Sequence, residues 1–394
     1  LTNISPVVAL GLGCLLGPAA PDQDGPGLIP AARLEKRLEK PPCLEGYRPN
    51  QKGFLSRVDP AGGRTIEQTF TMEAMKIPSG EVQINGWLYL PRGDDKVPLI
   101  VLTNGGGDGS RPIRNLSDWI APILAHCGIA AFVHDKRGTG GSGGVYANTT
   151  YQDYIADAGN CAITLSKHPR INPDLVGVLG GSEGGRIAIL TASRFPVVKF
   201  AVSFAGPVTD AVEDRIYAQT EELRRMNIPE AEFPEVLRIH EKSIRAWGTG
   251  DPDELDKVAQ EILALRKQGR RFLPATKREQ DTDPQLAVFR PTWYSLSADY
   301  VTELRHFRKT LLALYGEEDP VVDSKASVET LVRSMGFSGN VHYSIGVLPK
   351  CGHAPVDTET KQMIRIDHLI LNWLRDNVAG WPRRSTPSGP KDIR

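Results

Sequence analysis

Apolar and polar positions along this chain follow two different periods. Residues 67–76 and 82–90 (VQINGWLYL in the second) alternate every other residue and predict an opening β-hairpin. Short unbroken apolar runs then recur at 98–103 (PLIVLT), 129–134 (IAAFVH), 175–180 (LVGVLG), 198–206 (VKFAVSFAG), 310–316 (TLLALYG) and 341–347 (VHYSIGV). Runs of this length with no polar face are the pattern of strands buried on both sides. Between them, apolar residues spaced three and four apart predict helices over 115–127, 150–167, 183–194, 324–335 and 359–378. Strand and helix alternating in this way predict an α/β fold with a mostly parallel central sheet and helices on both faces.

One stretch breaks the alternation. Residues 208–305 carry long charged amphipathic helices (VEDRIYAQTEELRRMN, DELDKVAQEILALRKQGRRF) and no strand pattern, so they read as a helical cap inserted into the sheet. Their charge runs are most simply solvated helix faces. The core is then expected over 67–207 and 306–380. Residues 21–66, rich in Pro, Gly and charge, read as a linker with a short helix near 31–40, and residues 381–394 read as a disordered tail. Residues 4–20 form an apolar run ending in small residues, the pattern of a signal peptide, with a disordered leader as the alternative. The run is too short and too rich in Gly and Pro for a membrane span. Its presence would mean a secreted or periplasmic protein, and its absence a cytoplasmic one.

Composition narrows the chemistry. Forty-seven basic residues balance 47 acidic ones, so no polyanion is expected as a partner and no nucleic acid in particular. The five cysteines, Cys14, Cys43, Cys127, Cys161 and Cys351, include no CxxC pair, which argues against a zinc site or a dithiol centre. Cys127 and Cys161 sit in apolar helical stretches and read as small core residues. Cys351 reads as a space-filler two residues before His353 rather than as a reactive thiol.

The strand at 175–180 runs straight into Gly180-Gly181-Ser182-Glu183-Gly184, a G-x-S-x-G segment followed by an amphipathic helix. A tight strand-to-helix turn of this kind projects a serine hydroxyl from the carboxyl edge of the sheet, and its glycines avoid clashes there. An ordinary glycine-rich turn is the weaker alternative, since an apolar strand precedes the segment and an amphipathic helix follows it. A serine hydroxyl needs a general base, and the base an orienting carboxylate. Of eight histidines, His353 lies in the loop between the last strand and the last helix, and Asp319 follows the strand 310–316 just before Pro320. Together they give the chain order Ser, acid, His. Glu317 and Glu318 compete with Asp319, and Asp210 is a further alternative acid. A tetrahedral oxyanion needs two amide donors, for which the candidates are the backbone N–H of Glu183 and one from the glycine loop 104–109, with Gly106 preferred over Gly105 and Gly107.

A competing motif is present. Gly138, Gly140 and Gly143 spell G-x-G-x-x-G, with Asp157 about twenty residues from the first glycine, as a dinucleotide site would require. These glycines do not open the next helix, and Asp157 falls inside it, so the nicotinamide reading is the weaker one.

The serine segment, its approach (Asn172-Pro173-Asp174-Leu175-Val176-Gly177-Val178-Leu179) and the run Asp135-Lys136-Arg137-Gly138-Thr139-Gly140-Gly141-Ser142 together resemble the α/β-hydrolase superfamily. More narrowly, they are similar to bacterial serine esterases and serine-aminopeptidase-like hydrolases related to prolyl oligopeptidase and dienelactone hydrolase. The resemblance spans roughly 67–206 and 300–379. It departs from the family at Gly181, where His often precedes the serine, and at Asn104-Gly105, where the family's loop often opens His-Gly. It implies a serine hydrolase acting on a small-molecule ester through Ser182, Asp319 and His353, without cofactor or metal. Peptidase, thioesterase and an inactive binding protein on the same fold are the alternatives.

Overall fold

The computed structural model of the chain describes residues 26–45, 47–49, 55–57, 69–106, 115–282 and 299–382. The apolar run 4–20 and the tail after 382 lie outside them. Among the described residues, no helix is long and apolar enough to cross a membrane.

The strands in chain order are β1 (Gly27–Leu28), β2 (Tyr47–Pro49), β3 (Leu55–Arg57), β4 (Phe70–Ser79), β5 (Val82–Pro91), β6 (Val97–Thr103), β7 (Ala130–His134), β8 (Ile171–Gly181), β9 (Phe200–Phe204), β10 (Thr310–Gly316) and β11 (Tyr343–Leu348). Among the described residues, nine of them form one sheet in the order β1-β11-β10-β9-β8-β6-β7-β5-β4. Pairing is parallel from β1 across to β7; β5 joins β7 antiparallel and β4 joins β5 as the predicted hairpin. The order reverses direction at β6 and β8, which are neighbours but not consecutive in the chain. In open sheets of this type, the crevice beyond the strand carboxyl ends at such a switch is where ligands bind.

The unbroken apolar runs find their reason in the two faces of the sheet. Along β6, Leu99 and Val101 enter one core, and Ile100 and Leu102 enter the other. Along β10, Leu311, Ala313 and Tyr315 face the first core, and Leu312 and Leu314 the second. Helices α1 (Ala31–Leu38), α2 (Asn115–His126) and α11 (Ile366–Asn377) bring residues such as Leu34, Leu124 and Trp373 to the second core. The first core takes Ile155 from α3 (Tyr151–Leu165), Ile187 from α4 (Glu183–Arg194) and Leu331 from α10 (Ser324–Ser338). The start of α3 is set locally: the Thr150 side chain accepts from the Asp153 amide, and the Asp153 carboxylate accepts from the Thr150 amide.

Between β9 and β10 lie α5 (Ala211–Arg225), α6 (Phe233–Thr249), α7 (Pro252–Lys267) and the short α8 (Lys277–Thr282) and α9 (Asp299–Leu304). Helices α6 and α7 bury Ile239, Ala246, Leu255, Val258, Ile262 and Leu265 in a small cluster of their own. Residues 283–298 of this stretch lie outside the described residues.

Three local readings of the sequence are corrected. Part of the expected linker is packed structure: β1 adds to the edge of β11, Leu34 and Leu44 are buried, and the Arg37 guanidinium pairs with Asp376 of α11 at 2.9 Å. Burying a leucine contributes about 1.5–3 kcal/mol, and the Asn372 side-chain amide donates to the carbonyls of Arg37 and Glu39, so apolar and polar contacts both dock the segment. Cys127 is no lone core residue, since it forms a disulfide with Cys43, 84 residues earlier in the chain and 5.4 Å away between Cα atoms. The last helix begins at Ile366 rather than at 359. The Asp357 carboxylate accepts from the amides of Glu359 and Thr360, and bridges pair Cys351 with Asp357 and Val356 with Met363, so the chain here forms an extended loop.

The disulfide ties the docked N-terminal segment to the end of α2. Replacing both cysteines (Cys43→Ser with Cys127→Ser) is expected to lower stability by about 3–5 kcal/mol, from the loop-closure entropy of a crosslink of this span. Thermal unfolding without reductant checks this, and an unchanged midpoint would contradict it.

Candidate active site

The site starts from the turn between β8 and α4. Ser182 has φ 56° and ψ −129°, a conformation that costs a non-glycine residue about 1–3 kcal/mol. The surroundings hold it there. The Ser182 amide donates to the Phe204 carbonyl at 2.8 Å, and its carbonyl accepts from Gly185 at 2.8 Å. The turn also needs its glycines: a Cβ on Gly184 would run into the carbonyl of Thr103, and one on Gly180 into the carbonyl of Gly184. The serine is thus pressed against the end of β6 on one side and that of β9 on the other.

Two loops at the same sheet edge bring the other two residues. After β10, the amides of Glu317 and Glu318 donate to the carbonyls of Leu348 and Cys351, each at 2.9 Å, and so join the loop that follows β10 to the one that follows β11. Glu317 and Glu318 are exposed, their carboxylates accepting from the Lys350 amide and the Thr358 hydroxyl. Asp319 is 3% exposed, and its Oδ1 accepts from the amides of Val321 at 2.8 Å and Val322 at 3.0 Å. His353 Nδ1 lies 2.9 Å from Asp319 Oδ2, and His353 Nε2 lies 2.9 Å from Ser182 Oγ. A carboxylate only accepts, so Nδ1–H donates to Asp319, which leaves Nε2 free to accept from the serine hydroxyl. The three residues predicted from chain order are therefore brought into one hydrogen-bonded row.

The competing candidates are occupied elsewhere. Asp210 caps α5, its Oδ1 accepting from the amides of Val212 and Glu213. His134 is buried, which lowers its pKa, and its Nδ1 faces the Asp135 carbonyl. His126 and His240 each direct Nε2 at a backbone carbonyl, of Cys43 and Phe272 respectively, and His368 directs Nδ1 at that of Leu38. Cys351 is buried beside the triad, and burial pushes its thiol up to about 12.

Around the serine, the end of β6 and the first residue of the loop that follows it are fastened. Thr103 Oγ1 donates to the Gly184 carbonyl at 2.7 Å, and Asn104 Nδ2 donates to the His134 carbonyl at 2.8 Å. Asn104 and Gly105 are buried, and Gly106 is exposed. Gly107 to residue 114 lie outside the described residues. Glu183 opens α4, where its amide has no partner within the helix.

The glycine motif at 138–143 has a structural role of its own. Gly138 and Gly140 take φ values of 73° and 53°, and the loop closes on Asp135, whose Oδ2 accepts from the Gly141 amide at 2.9 Å and whose carbonyl accepts from Ser142 Oγ at 2.8 Å. Asp157, which a dinucleotide would need, is 1% exposed and is gripped by Arg137 at 2.6 and 3.1 Å. Sequence reasoning missed two buried ion pairs in this region. Lys136 pairs with Glu183, and Arg186 of α4 pairs with Asp214 of α5 while donating to the carbonyls of Pro207 and Thr209. Lys136 stands between Asp135 and Arg137 in the sequence, so nothing in the local pattern marked it as buried.

The nine-stranded sheet, the serine turn at its switch point and the imidazole–carboxylate pair facing it are the arrangement of the α/β-hydrolase fold. Residues 95–278 match the family model described as serine aminopeptidase, S33. That match includes Ser182 and ends before Asp319 and His353. No curated protein matches the sequence. Among solved structures, the fold is similar to an esterase of Pyrococcus furiosus (16% identity, TM-score 0.53, 82% of this chain and 97% of that one). It is also similar to DcsB, solved in complex with its substrate analogue (18% identity, TM-score 0.51, 79% of this chain and 100% of that one). A third is the acylaminoacyl peptidase of Pyrococcus horikoshii (13% identity, TM-score 0.51, 80% of this chain but 43% of that one). At these identities the likeness is one of fold.

With its pKa near 12, the Cys351 thiol is only about one part in ten thousand thiolate at pH 8. Iodoacetamide applied to the native protein at that pH is expected to leave Cys351 unmodified in peptide mapping. Rapid alkylation there would contradict this account of its surroundings.

Proposed function

We propose that this chain is a serine esterase that cleaves carboxylic esters through an acyl-enzyme on Ser182, with His353 as general base and acid and Asp319 as the orienting carboxylate. The observation that carries the reading is the pair of 2.9 Å contacts from one imidazole, to Ser182 Oγ on one side and Asp319 Oδ2 on the other. A fold alone argues no activity, whereas a nucleophile, a base and its orienter within hydrogen-bond reach do.

In this reading Ser182 Oγ attacks the ester carbonyl carbon as its proton passes to His353 Nε2. The carbonyl oxygen becomes an oxyanion held by the Glu183 amide and by an amide of the loop after β6, for which Gly106 is the candidate. The tetrahedral centre collapses, and the imidazolium gives its proton to the departing alkoxide, leaving the acyl group on Ser182. Water then repeats the sequence with the same histidine, and the acid leaves. Asp319 keeps the ring in the required tautomer and stabilises the imidazolium that forms twice per turnover.

The helices between β9 and β10 act as a cap over this site. Tyr217 of α5 donates its hydroxyl to the Asp319 carbonyl at 2.9 Å, so the first of them sits beside the acid loop. The Cys43–Cys127 disulfide favours an oxidising compartment, as the apolar run at 4–20 does. A second reading, peptide or aminoacyl substrates at the same triad, is favoured by the description of the matching family model.

A panel of p-nitrophenyl esters of graded chain length, aminoacyl anilides and acyl-CoA thioesters separates these readings, with the esters expected to turn over fastest. Ser182→Ala is expected to lower kcat by about 10⁵-fold or more without shifting the unfolding midpoint downward. His353→Ala should cost nearly as much, and Asp319→Asn less than His353→Ala, at about 10³- to 10⁴-fold. Unchanged turnover in Ser182→Ala would end the proposal.

A further inference from the structure

The residue after the nucleophile carries a carboxylate, which is a liability for an oxyanion that must form against that residue's own amide. Glu183 is 8% exposed, and its side chain turns away from solvent to meet the Lys136 ammonium, which is 2% exposed. Lys136 comes from the loop after β7 and stands 4.7 Å from the centre of the Tyr154 ring of α3, so the ammonium is held on two sides. Its backbone is held as well, since the Lys136 carbonyl accepts from both the amide and the hydroxyl of Thr139 at 2.9 Å. Taking both charges out of water costs several kcal/mol, and apolar residues of similar volume stabilise a fold at least as well. Stability alone therefore does not account for this pair.

We infer that Lys136 is a positioning and charge-balancing residue of the active site: it draws the Glu183 carboxylate back from the oxyanion pocket and cancels its charge. The inference rests on the oxyanion role proposed above for the Glu183 amide. Without Lys136, an uncompensated negative charge would sit one residue from the nucleophile and oppose the negative charge that develops on the reacting oxygen. A unit charge about a side-chain length away, at an effective dielectric of about 20, changes a rate by about ten- to a hundredfold.

The test follows the rate at which a fluorophosphonate modifies Ser182, read by intact mass, because phosphonylation builds charge on the phosphoryl oxygen and needs no knowledge of the natural substrate. Lys136→Met is expected to slow modification about ten- to a hundredfold. Combining it with Glu183→Gln, which removes the uncompensated charge, is expected to recover at least about tenfold of that loss. Lys136→Gln keeps a donor for the carboxylate but no charge; it is expected to be as slow as Lys136→Met and serves if the methionine variant does not fold. A Lys136→Gln rate near that of the unsubstituted protein, or a double variant no faster than Lys136→Met, would overturn the inference and leave the role of Ser182 intact. Failure of the unsubstituted protein to react at Ser182 would remove both. A merely structural pair would lower the unfolding midpoint of Lys136→Met while leaving the modification rate of the folded protein unchanged, and that outcome too would overturn the inference.

Discussion

The hydrogen bond between Ser182 and His353 depends on a smaller and less visible one: the zip between the loops that follow β10 and β11. Two amide–carbonyl contacts, Glu317 to Leu348 and Glu318 to Cys351, set the spacing of Asp319 and His353 before either side chain is considered. Val322 anchors the first loop in one core and Cys351 the second in the other. Their closeness follows from β10 and β11 being parallel neighbours in register from Leu311 opposite Tyr343 to Gly316 opposite Leu348. The sheet thus delivers acid and base side by side, and the switch point between β6 and β8 delivers the serine to the same edge.

Much of this was legible in the sequence, for identifiable reasons. The elbow could be read because a strained serine between a strand and a helix requires glycines at fixed offsets. The juxtaposition of Ser182, Asp319 and His353 could be read because the strand order places successive carboxyl-end loops at one rim. The helix at 183–194 and the strand at 310–316 coincide with their predicted limits, as expected where periodicity is strong and ends are marked by Ser182 and by the turn at Gly316.

What the sequence did not disclose depends on contacts between distant segments. The proximity of Cys43 and Cys127 follows from the N-terminal segment docking beneath α11 and α2, and no local pattern reports that docking. Residues 359–365 have the composition of a helix start, yet the bridges at Cys351 and Val356 recruit that chain to brace the histidine loop. The buried pairs Lys136–Glu183 and Arg186–Asp214 read in one dimension as ordinary surface charges. In the fold, the second fastens the start of the inserted helices to the helix that carries the serine, with the Arg186 guanidinium also facing the rings of Tyr151 and Tyr300. One side chain thus anchors both the inserted helices and the helix that follows Ser182.

The central claim is that three side chains and a preorganised amide act on one carbon atom. A crystal structure of the phosphonylated protein tests it most directly. The account predicts phosphorus bonded to Ser182 Oγ, the phosphoryl oxygen within hydrogen-bond distance of the Glu183 amide, and His353 still paired with Asp319. A phosphoryl oxygen turned away from that amide, or an adduct formed on another residue, would contradict it.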